Sequence, residues 1–308
     1  MDVIGFGALN LDKIIKVDKI PKSDEEGYIH SIEYFSGGSA ANTIVGLSRL
    51  GLKTGYIGKI GDDTEGKILL EDMQNENVDV SGIKTSIDRS GTCLVFVDGM
   101  GNRAILVDPG VNDTITIDDI NLDFVKKTKL IHLTSFVCKE SIQSFETQKK
   151  LIKELETEVS FDPGQLYAEK GLKEMEDIIK RSKVVLPSEY ELKLLTGFNY
   201  KEGAQILLNK GVEIVGVKLG EKGCYITDGS KEYSIPAYKT KVVDTTGAGD
   251  AFNAGFLYGL IKGKDLEECG KLGNKVASFC IQKKGARDGL PRLPSLDITI
   301  KSYTLPFQ

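Results

Sequence analysis

The sequence predicts an α/β fold of three layers, α/β/α, in which helices cover both faces of a mainly parallel central sheet. Short apolar runs bounded by turn residues alternate with amphipathic stretches of helical period, which is typical of βαβ units. Two segments, 13–34 and 88–108, break this alternation, because they are rich in β-branched and aromatic residues and lack a helical period. These two segments predict a second, small β-sheet.

The elements of the main sheet follow one another along the whole chain. The predicted strands are 3–6, 54–57, 129–133, 159–161, 184–186 and 214–218. Single helices are predicted at 39–50, 64–76, 139–156, 170–181, 248–262 and 265–283, and more than one helix is predicted within 188–210. Turns at Asp98-Gly99 and Gly101-Asn102 predict antiparallel strands in the second inserted segment. Since no linker, repeat or low-complexity tract interrupts the 308 residues, we expect residues 1–308 to form one domain.

Composition excludes several classes of protein. The chain has 40 basic and 45 acidic residues, and no basic run is interleaved with aromatic residues, so we expect no nucleic acid as a partner. The N-terminal residues form a strand and a glycine turn rather than a signal peptide, and no apolar run reaches membrane-spanning length. We therefore expect a cytoplasmic protein that does not bind membranes.

Cysteine and histidine usage narrows the chemistry further. The five cysteines are far apart and form no CxxC pair, which predicts reduced and mostly packed thiols. The two histidines, His30 and His132, have no metal-ligating residue at a suitable spacing. The sequence therefore offers few candidate residues for the active site of a zinc hydrolase or a Ser-His-Asp enzyme.

Segment 244–250, DTTGAGD, runs straight into a stretch of helical composition. Its two glycines allow successive backbone N–H groups to converge on an anion at a helix N-terminus. Asp250 would lie in the first helical turn, where the helix dipole favours the ionised carboxylate that accepts a proton from a hydroxyl group. An ordinary capped helix is the plainer alternative. The segment predicts a site for phosphoryl transfer formed by Asp250, Gly247, Ala248 and Gly249.

Segment 244–250 resembles a signature of the ribokinase-like (PfkB) carbohydrate kinase family. Residues 37–42, GGSAAN, resemble the first signature of the same family, and the resemblance extends over residues 2–291. Residues 159–165 are similar to a segment of its archaeal nucleoside kinases. The resemblance implies a ribokinase-like fold whose inserted strands, at about 13–34 and 88–108, form a lid over the active site. It also implies ATP and Mg²⁺.

The resemblance assigns acceptor binding to polar residues after the first strand. Asn10 and Asp12 match the family's polar pair for sugar hydroxyls, and a carboxylate can accept hydrogen bonds from two vicinal hydroxyls. Gly37 and Gly38 would allow close backbone approach to the sugar, and Asn42 can donate and accept at once. A turn aspartate and a helix cap are the alternatives for Asp12 and Asn42.

Two further residues are candidates for acceptor binding. Arg103 stands at the head of a lid strand, where some relatives have an arginine that meets an anionic part of the acceptor. It could also contact the transferred phosphate or be a solvated charge on an edge strand. Asp162 ends a predicted strand, and ligands of parallel α/β sheets bind beyond such ends. A turn aspartate before Pro-Gly is the alternative.

The resemblance also indicates a nucleotide site. Residues 217–223, VKLGEKG, are similar to the strand–turn–strand that lies against ATP, with Lys218 where threonine is usual. That lysine could reach the phosphates or lie on the surface. Asn274 matches an asparagine near the adenine pocket. The expected nucleotide-binding residues are Ser188, Lys218, Gly220, Gly223 and Asn274.

The metal-organising Asn-x-x-Glu motif of the family is represented here by residues 188–191, SEYE. Glu191 is retained and would hold water molecules around Mg²⁺, whereas Ser188 replaces the asparagine. Backbone carbonyls near Asp244 and Thr246, together with loop 285–289, bind a monovalent cation in many members. K⁺ is therefore a further candidate ligand.

These residues predict an ATP-dependent kinase that transfers the γ-phosphate to a hydroxymethyl group of a ribose-like sugar or a nucleoside. A sugar-phosphate kinase of the same family is the first alternative, and Arg103 is its discriminating residue. A non-catalytic sugar-binding regulator is the second, and Ser188 is the feature in its favour. Exposed lid strands leave a homodimer through the lid open, since an uncovered sheet edge invites a partner.

Overall fold

The computed structural model describes residues 1–293 and Ser295. Its strands are β1 Val3–Phe6, β2 Asn10–Val17, β3 Ile29–Gly37, β4 Thr54–Gly61, β5 Asp79–Ser86, β6 Gly91–Val97, β7 Arg103–Asp108, β8 Leu130–Thr134, β9 Glu158–Asp162, β10 Val184–Val185, β11 Ile214–Lys218, β12 Cys224–Thr227 and β13 Glu232–Ile235. Its helices are α1 Ser39–Arg49, α2 Thr64–Asn75, α3 Leu122–Val125, α4 Gln143–Glu154, α5 Gly164–Ala168, α6 Gly171–Glu174, α7 Glu176–Arg181, α8 Glu189–Thr196, α9 Tyr200–Asn209, α10 Ala248–Ile261 and α11 Leu266–Cys280.

A nine-stranded central sheet has the strand order β13-β12-β11-β10-β9-β8-β1-β4-β5. Strands β1, β4, β5 and β8 to β11 are parallel, whereas β12 and β13 pair antiparallel at one edge. The parallel strands all end at the same edge of the sheet. In open α/β sheets this edge is where ligands bind, so the fold gathers the residues that follow these strands into one region.

Two hydrophobic cores lie on the two faces of the central sheet. Successive strand residues point to opposite faces, so Val3 belongs to one core and Ile4 to the other. Helices α1, α10 and α11 contribute to the first core, and helices α4, α7, α8 and α9 contribute to the second. This arrangement explains why most strands of the sheet are apolar throughout rather than alternating.

The four-stranded lid has the order β3-β2-β6-β7. Its outer pairs are antiparallel as expected, but β2 and β6 run parallel to each other. The antiparallel strands predicted from the turns at Asp98-Gly99 and Gly101-Asn102 are therefore confirmed as β6 and β7, and the parallel central pair is an addition that the turns do not predict. After β3 the chain returns to the main domain and forms α1, β4, α2 and β5 before it enters the lid again as β6. Strands β2 and β6 both run from the main domain into the lid, so they are parallel.

The predicted fold class is confirmed. The helices predicted within 188–210 are α8 and α9, and α8 ends at Gly197, which adopts a left-handed backbone conformation with φ 82°. The single helix predicted at 170–181 is instead divided into α6 and α7. Residues 294 and 296–308 of the predicted single domain lie outside the described residues. None of the described helices has the length and hydrophobicity that a membrane span requires.

Gly223 has a structural role at the turn into β12. Its φ of 95° is a conformation that favours glycine, and a Cβ atom there would lie 2.0 Å from the carbonyl oxygen of Ile235. Gly263, after α10, has φ 70°, and a Cβ atom there would meet no described atom within 4 Å. The two glycines therefore differ in steric contact and share a positive φ.

We expect Gly223→Ala to lower the free energy of unfolding by about 3 kcal/mol, because backbone strain and overpacking add. The control Gly263→Ala introduces the strain alone and should cost about 1–2 kcal/mol. Urea denaturation of both variants measures the difference. Equal losses in the two variants would show that the close contact at Gly223 relaxes without cost.

Candidate active site

The N-terminus of α10 lies between two cavities at the carboxyl edge of the sheet. Thr245 and Ala248 line one cavity of about 530 Å³, which we call the donor cavity. Asp244 and Thr246 line the other, of about 290 Å³, which we call the acceptor cavity. A single turn of chain thus borders both cavities, and Asp250 follows this turn in the first turn of the helix.

Asp250 is half-buried and accepts hydrogen bonds on both carboxylate oxygens. The hydroxyl of Ser39 donates to Oδ1 at 2.6 Å, and the side-chain amide of Asn42 donates to Oδ2 at 2.8 Å. Burial raises the pKa of Asp250 to about 6, although the two donors act in the opposite direction. The carboxylate is therefore ionised at neutral pH and close to the pKa that suits a general base.

The glycines before Asp250 form a turn at the N-terminus of α10. Gly247 precedes the helix with φ 74°, and a Cβ atom there would lie 2.6 Å from the Ala286 side chain. The first backbone N–H groups of α10 have no partner within the helix, and the helix dipole adds positive potential there. This turn has the geometry and the charge to bind a phosphoryl group.

Lys218 extends its ammonium group toward this turn. A Cβ atom on Gly249 would lie 3.4 Å from Lys218 Nζ. Nζ also donates to Asp162 Oδ2 at 2.5 Å. Burial lowers the pKa of Lys218, but the negative charges of Asp162 and Glu191 outweigh burial and raise it. Lys218 is consequently a fixed positive charge beside the anion-binding turn.

Asp162 is engaged entirely by protein groups. Besides Lys218, it accepts hydrogen bonds from Asn253 Nδ2 at 2.6 Å and from the N–H of Gly164 at 3.1 Å. Asp162 is 4% exposed and lines neither cavity. These contacts assign Asp162 to holding Lys218 rather than to the acceptor, because a carboxylate saturated by buried donors offers little to a sugar hydroxyl.

The donor cavity lies between the loop after β13, α11 and the N-terminus of α10. Asn274 lines it, but its amide nitrogen donates to the carbonyl oxygens of Ile235 and Pro236, both at 3.1 Å. Gly220 also lines this cavity, whereas Gly223 does not. Asn274 thus holds the loop that forms the cavity wall, and Tyr238 in that loop is a further lining residue that the sequence reasoning did not assign.

The acceptor cavity lies under the lid. Asp12 on β2 lines it, together with the aliphatic side chains of Ile14, Val95 and Ile105. Burial raises the pKa of Asp12 to about 6, and the positive charge of Arg287 acts in the opposite direction. The cavity therefore has a carboxylate and apolar walls, which suit the hydroxyl edge and the flat face of a small ring.

The expected glycines and asparagine near Asp12 are held by close packing. Gly37 lies against Asp12, since a Cβ atom on it would be 2.7 Å from Asp12 Oδ2. Gly38 has φ 102°, and its Cβ position is 2.1 Å from the carbonyl oxygen of Ala8. Asn10 accepts a hydrogen bond on Oδ1 from Asn112 at 2.9 Å. The amide nitrogen of Asn10 is thereby oriented away from Asn112.

Arg103, Lys16 and Lys284 are the cations that line the acceptor cavity. Lys16 and Lys284 both pair with Glu33, at 3.0 Å and 2.6 Å. Arg103 is exposed and forms no ion pair with any residue in the described part of the chain. Burial raises the pKa of Asp244, but the hydrogen bonds to its carboxylate outweigh burial and lower it, and the positive charge of Arg103 acts in the same direction as those hydrogen bonds. Arg103 thus faces the cavity with an uncompensated charge.

Ser188 and Glu191 form a capping box at the start of α8. Ser188 Oγ accepts from the N–H of Glu191 at 3.2 Å, and Glu191 Oε2 accepts from the N–H of Ser188 at 2.6 Å. Burial raises the pKa of Glu191, although Lys218 opposes the shift. One oxygen of this carboxylate is committed to the helix, and the other is available to water. No cluster of three metal-ligating side chains occurs within residues 1–293.

The loop expected to hold a monovalent cation is organised by Asp244. Its Oδ1 accepts from the N–H and the hydroxyl of Thr246, at 3.0 Å and 2.7 Å, and its Oδ2 accepts from the N–H of Gly285 at 2.9 Å. The carbonyl oxygen of Thr246 is contacted by the thiol of Cys280 at 3.6 Å. Asp244 thus ties the two loops that the sequence reasoning connected with K⁺.

Several residues of the site have no signal in the sequence that singles them out. Asn112 and Asn253 are buried amides, whose contacts with Asn10 and Asp162 depend on the fold. Ser39 lies within segment 37–42, and its place at a helix start is a sequence signal for a polar contact. Arg287 lies within loop 285–289, but its sequence neighbours do not indicate a role for its side chain.

Comparison with known proteins matches the chain to one family. The model of the pfkB carbohydrate kinase family matches residues 2–293 of this chain. An uncharacterized sugar kinase of Archaeoglobus fulgidus is 55% identical over 248 residues, which cover 80% of this chain and 99% of that protein.

Solved structures of the same fold extend the comparison. The nucleoside kinase of Methanocaldococcus jannaschii superposes with a TM-score of 0.83 at 27% identity, covering 98% of this chain and 99% of that one. The ribokinase of Arabidopsis thaliana, in complex with ribose and ATP, superposes with a TM-score of 0.85 at 26% identity, covering 97% and 98%. The chain with this two-cavity site therefore belongs to the PfkB family of carbohydrate kinases, which are phosphotransferases that act on a hydroxyl group.

Proposed function

We propose that this protein transfers the γ-phosphate of ATP to a hydroxymethyl group of a ribose-like sugar or a nucleoside. One observation carries the proposal: segment 244–250 borders both cavities, and Asp250, which lines neither, lies in the first turn of the helix that this segment begins. A donor and an acceptor bound in these cavities would meet at the anion-binding turn, where a base is already in place.

Asp250 accepts the proton of the acceptor hydroxyl as the oxygen attacks the γ-phosphorus. The N–H groups of Gly247 and Gly249 would stabilise the charge on the transferring group. The N–H of Ala248, which the sequence also suggested, donates to the carbonyl oxygen of Thr245 at 3.1 Å. The ammonium group of Lys218 adds a positive charge on the same side. The released ADP keeps the bridging oxygen, and the product is a phosphate ester.

Asp12 and Asn10 bind the acceptor through its hydroxyl groups. Asn42, which the sequence suggested for the same role, has its amide engaged by Arg287 and Asp250 and supports the base instead. Asp12 is the principal residue, because it faces the acceptor cavity and can accept from two adjacent hydroxyls. The aliphatic wall opposite would pack against the sugar ring or a base. The ribokinase of Arabidopsis thaliana with ribose and ATP, and the archaeal nucleoside kinase, support both kinds of acceptor.

Mg²⁺ fits this site through water molecules rather than direct ligands. Glu191 has one carboxylate oxygen outside the capping box, which could hold water molecules around the ion. When bound, the ion would neutralise charge on the donor phosphates. The backbone carbonyls near Asp244 and Thr246 would hold K⁺, in a segment that the Asp244 side chain ties to Gly285.

A sugar phosphate is the second candidate acceptor. Arg103 favours it, because an uncompensated guanidinium facing the acceptor cavity suits an anionic group at the far end of the sugar. A sugar-binding regulator without catalysis is less well supported. Ser188 retains a defined contact with Glu191, so its presence does not dismantle the region around the expected metal site.

Location and assembly follow the same reasoning. ATP as the donor, and cysteines that are all free, support a cytoplasmic enzyme. Apolar residues on the outer strands of the lid, including Ile32 and Tyr34 on β3 and Leu106 on β7, are exposed. Such a surface supports a homodimer through the lid.

A coupled phosphotransfer assay tests a panel of acceptors with ATP and Mg²⁺. We expect turnover on at least one of ribose, adenosine, inosine, guanosine or cytidine. The panel also includes fructose, ribose 1-phosphate and fructose 6-phosphate. Parallel assays with ADP test the donor.

Asp250→Asn should lower kcat by about 10²–10⁴-fold with little change in KM, since a general base is lost. The exposed Asp62→Asn is the control and should leave kcat unchanged. An unaltered kcat in Asp250→Asn removes Asp250 from the mechanism.

Activity should fall on the acid side with two ionisations. Burial raises the pKa values of Asp12 and Asp250, each to about 6, so both are ionised above that pH and protonated below it. We expect log(kcat/KM) to fall below pH 6 with a limiting slope near 2, because the enzyme needs both carboxylates ionised. Asp12→Asn should reduce the slope to about 1. A slope of 1 in the unmodified enzyme would exclude one of the two groups.

Arg103→Ala distinguishes the two acceptor classes. For a neutral acceptor we expect KM to change by less than about threefold, since an exposed charge without a partner contributes little. For a phosphorylated acceptor, loss of a charge-assisted hydrogen bond should raise KM about 10–100-fold. Arg89→Ala, an arginine of the lid paired with Asp108, is the control. A large rise confined to ribose 1-phosphate or fructose 6-phosphate would establish the second candidate.

A further inference from the structure

Arg287 is a buried arginine behind the proposed base. It is 7% exposed, and three of its nitrogen atoms make contacts. Nε donates to Asn42 Oδ1 at 2.8 Å, Nη2 donates to the carbonyl oxygen of Gly37 at 3.3 Å, and Nη1 pairs with the carboxylate of Asp72. Asn42 in turn donates to Asp250. The four side chains Asp72, Arg287, Asn42 and Asp250 thus form one chain of hydrogen bonds.

The chemistry of its two neighbours fixes the orientation of the Asn42 amide. A guanidinium can only donate, and an ionised carboxylate can only accept. Asn42 must therefore turn its oxygen to Arg287 and its nitrogen to Asp250, because the flipped amide would face donor with donor and acceptor with acceptor. Asn42 is 5% exposed, so water cannot readily replace either partner.

We propose that Arg287 is a positioning residue, which holds the Asn42 amide with its nitrogen toward Asp250 and so keeps the base oriented and ionised. The inference deepens the proposed function, since it rests on Asp250 being the base. Arg287 itself touches neither cavity. Its anchor is Asp72 on α2, outside both proposed binding regions, so the arrangement connects the base to an element with no part in binding.

Four other charged or titratable groups lie near Asp250, and one of them, Tyr56, is affected by Arg287 itself, whose charge lowers the pKa of the phenol. Asp162 raises the pKa of Asp250 and Lys218 lowers it, and these two are paired with each other. The phenol of Tyr56 and the thiol of Cys280 also lie within electrostatic range, and burial keeps both neutral by raising their pKa values. Replacing Arg287 leaves all four groups in place.

The test measures the Asp250 carboxyl directly. In protein labelled with ¹³C at aspartate Cγ, the resonance that disappears in Asp250→Asn is followed by NMR through a pH titration. We expect Arg287→Met to raise the pKa of Asp250 by about one unit, which is the value of one hydrogen bond to a charged group. The acid limb of kcat/KM should also move upward, but it reports both carboxylates, because the charge of Arg287 lowers the pKa of Asp12 as well. The NMR shift of Asp250 is therefore the deciding measurement. We expect kcat at pH 6 to fall while the KM for ATP stays the same.

Arg49→Met is the matched control. Arg49 donates to the carbonyl oxygens of Arg287 and Leu290, at 2.6 Å and 3.1 Å, and does not touch Asn42. It therefore loosens the same loop without freeing the amide, and should leave the pKa of Asp250 unchanged. If Arg287→Met does not fold, Arg287→Lys is the alternative. It keeps the positive charge but has one nitrogen atom in place of three, so we expect a smaller rise in the pKa of Asp250.

A double-mutant cycle separates positioning from simple charge. If Arg287 acts through the amide, Arg287→Met should cause no further shift in an Asn42→Ala background. Additive shifts, or an unchanged Asp250 in both Arg287 variants, would overturn the inference. The titration needs no turnover, so an enzyme inactive on every acceptor would refute the proposed function and leave the result on Arg287 standing.

Discussion

The site is organised around keeping the Asp250 carboxylate ionised while protein surrounds most of it. A carboxylate removed from water needs compensation, and a direct ion pair would supply it. Such a pair would also lower the pKa of Asp250 and weaken it as a base. The protein uses two neutral donors instead, Ser39 and Asn42, and the nearest ammonium group is already paired with Asp162. The pKa of Asp250 is consequently about 6 rather than far lower.

This constraint accounts for the arrangement of charge on the other side of the anion-binding turn. Lys218 supplies a positive charge where phosphate is expected, and Asp162 limits the influence of that charge on Asp250. Lys218 and Ser188 both depart from the family pattern, and they are direct neighbours across a parallel bridge between β11 and the start of α8. The negative charge of Glu191, in the first turn of that helix, raises the pKa of Lys218.

The sequence predicts the parts of this structure that repeat a local rule. Alternating apolar runs and helical periods locate β1, β8, β9 and β11, and the glycines of segment 244–250 locate the start of α10. Partners that meet only in the folded chain escape such reasoning. Arg287 and Asn42 are 245 residues apart, and Asp162 and Asn253 are 91 residues apart. Asp162 shows the limit well, because a strand-end aspartate looks like a ligand-binding residue until its three donors are known.

The position of Asp12 connects recognition to the mechanics of the fold. Strand β2 starts only a few residues after β1, and it is one of the two central strands of the lid. Asp12 lies on this strand, whereas Asp250 lies on a helix packed against the main sheet. Any tilt of the lid against the main domain therefore changes the distance between the two carboxylates. An acceptor that contacts both carboxylates would have to match that distance, so its length would matter as well as its hydroxyl pattern.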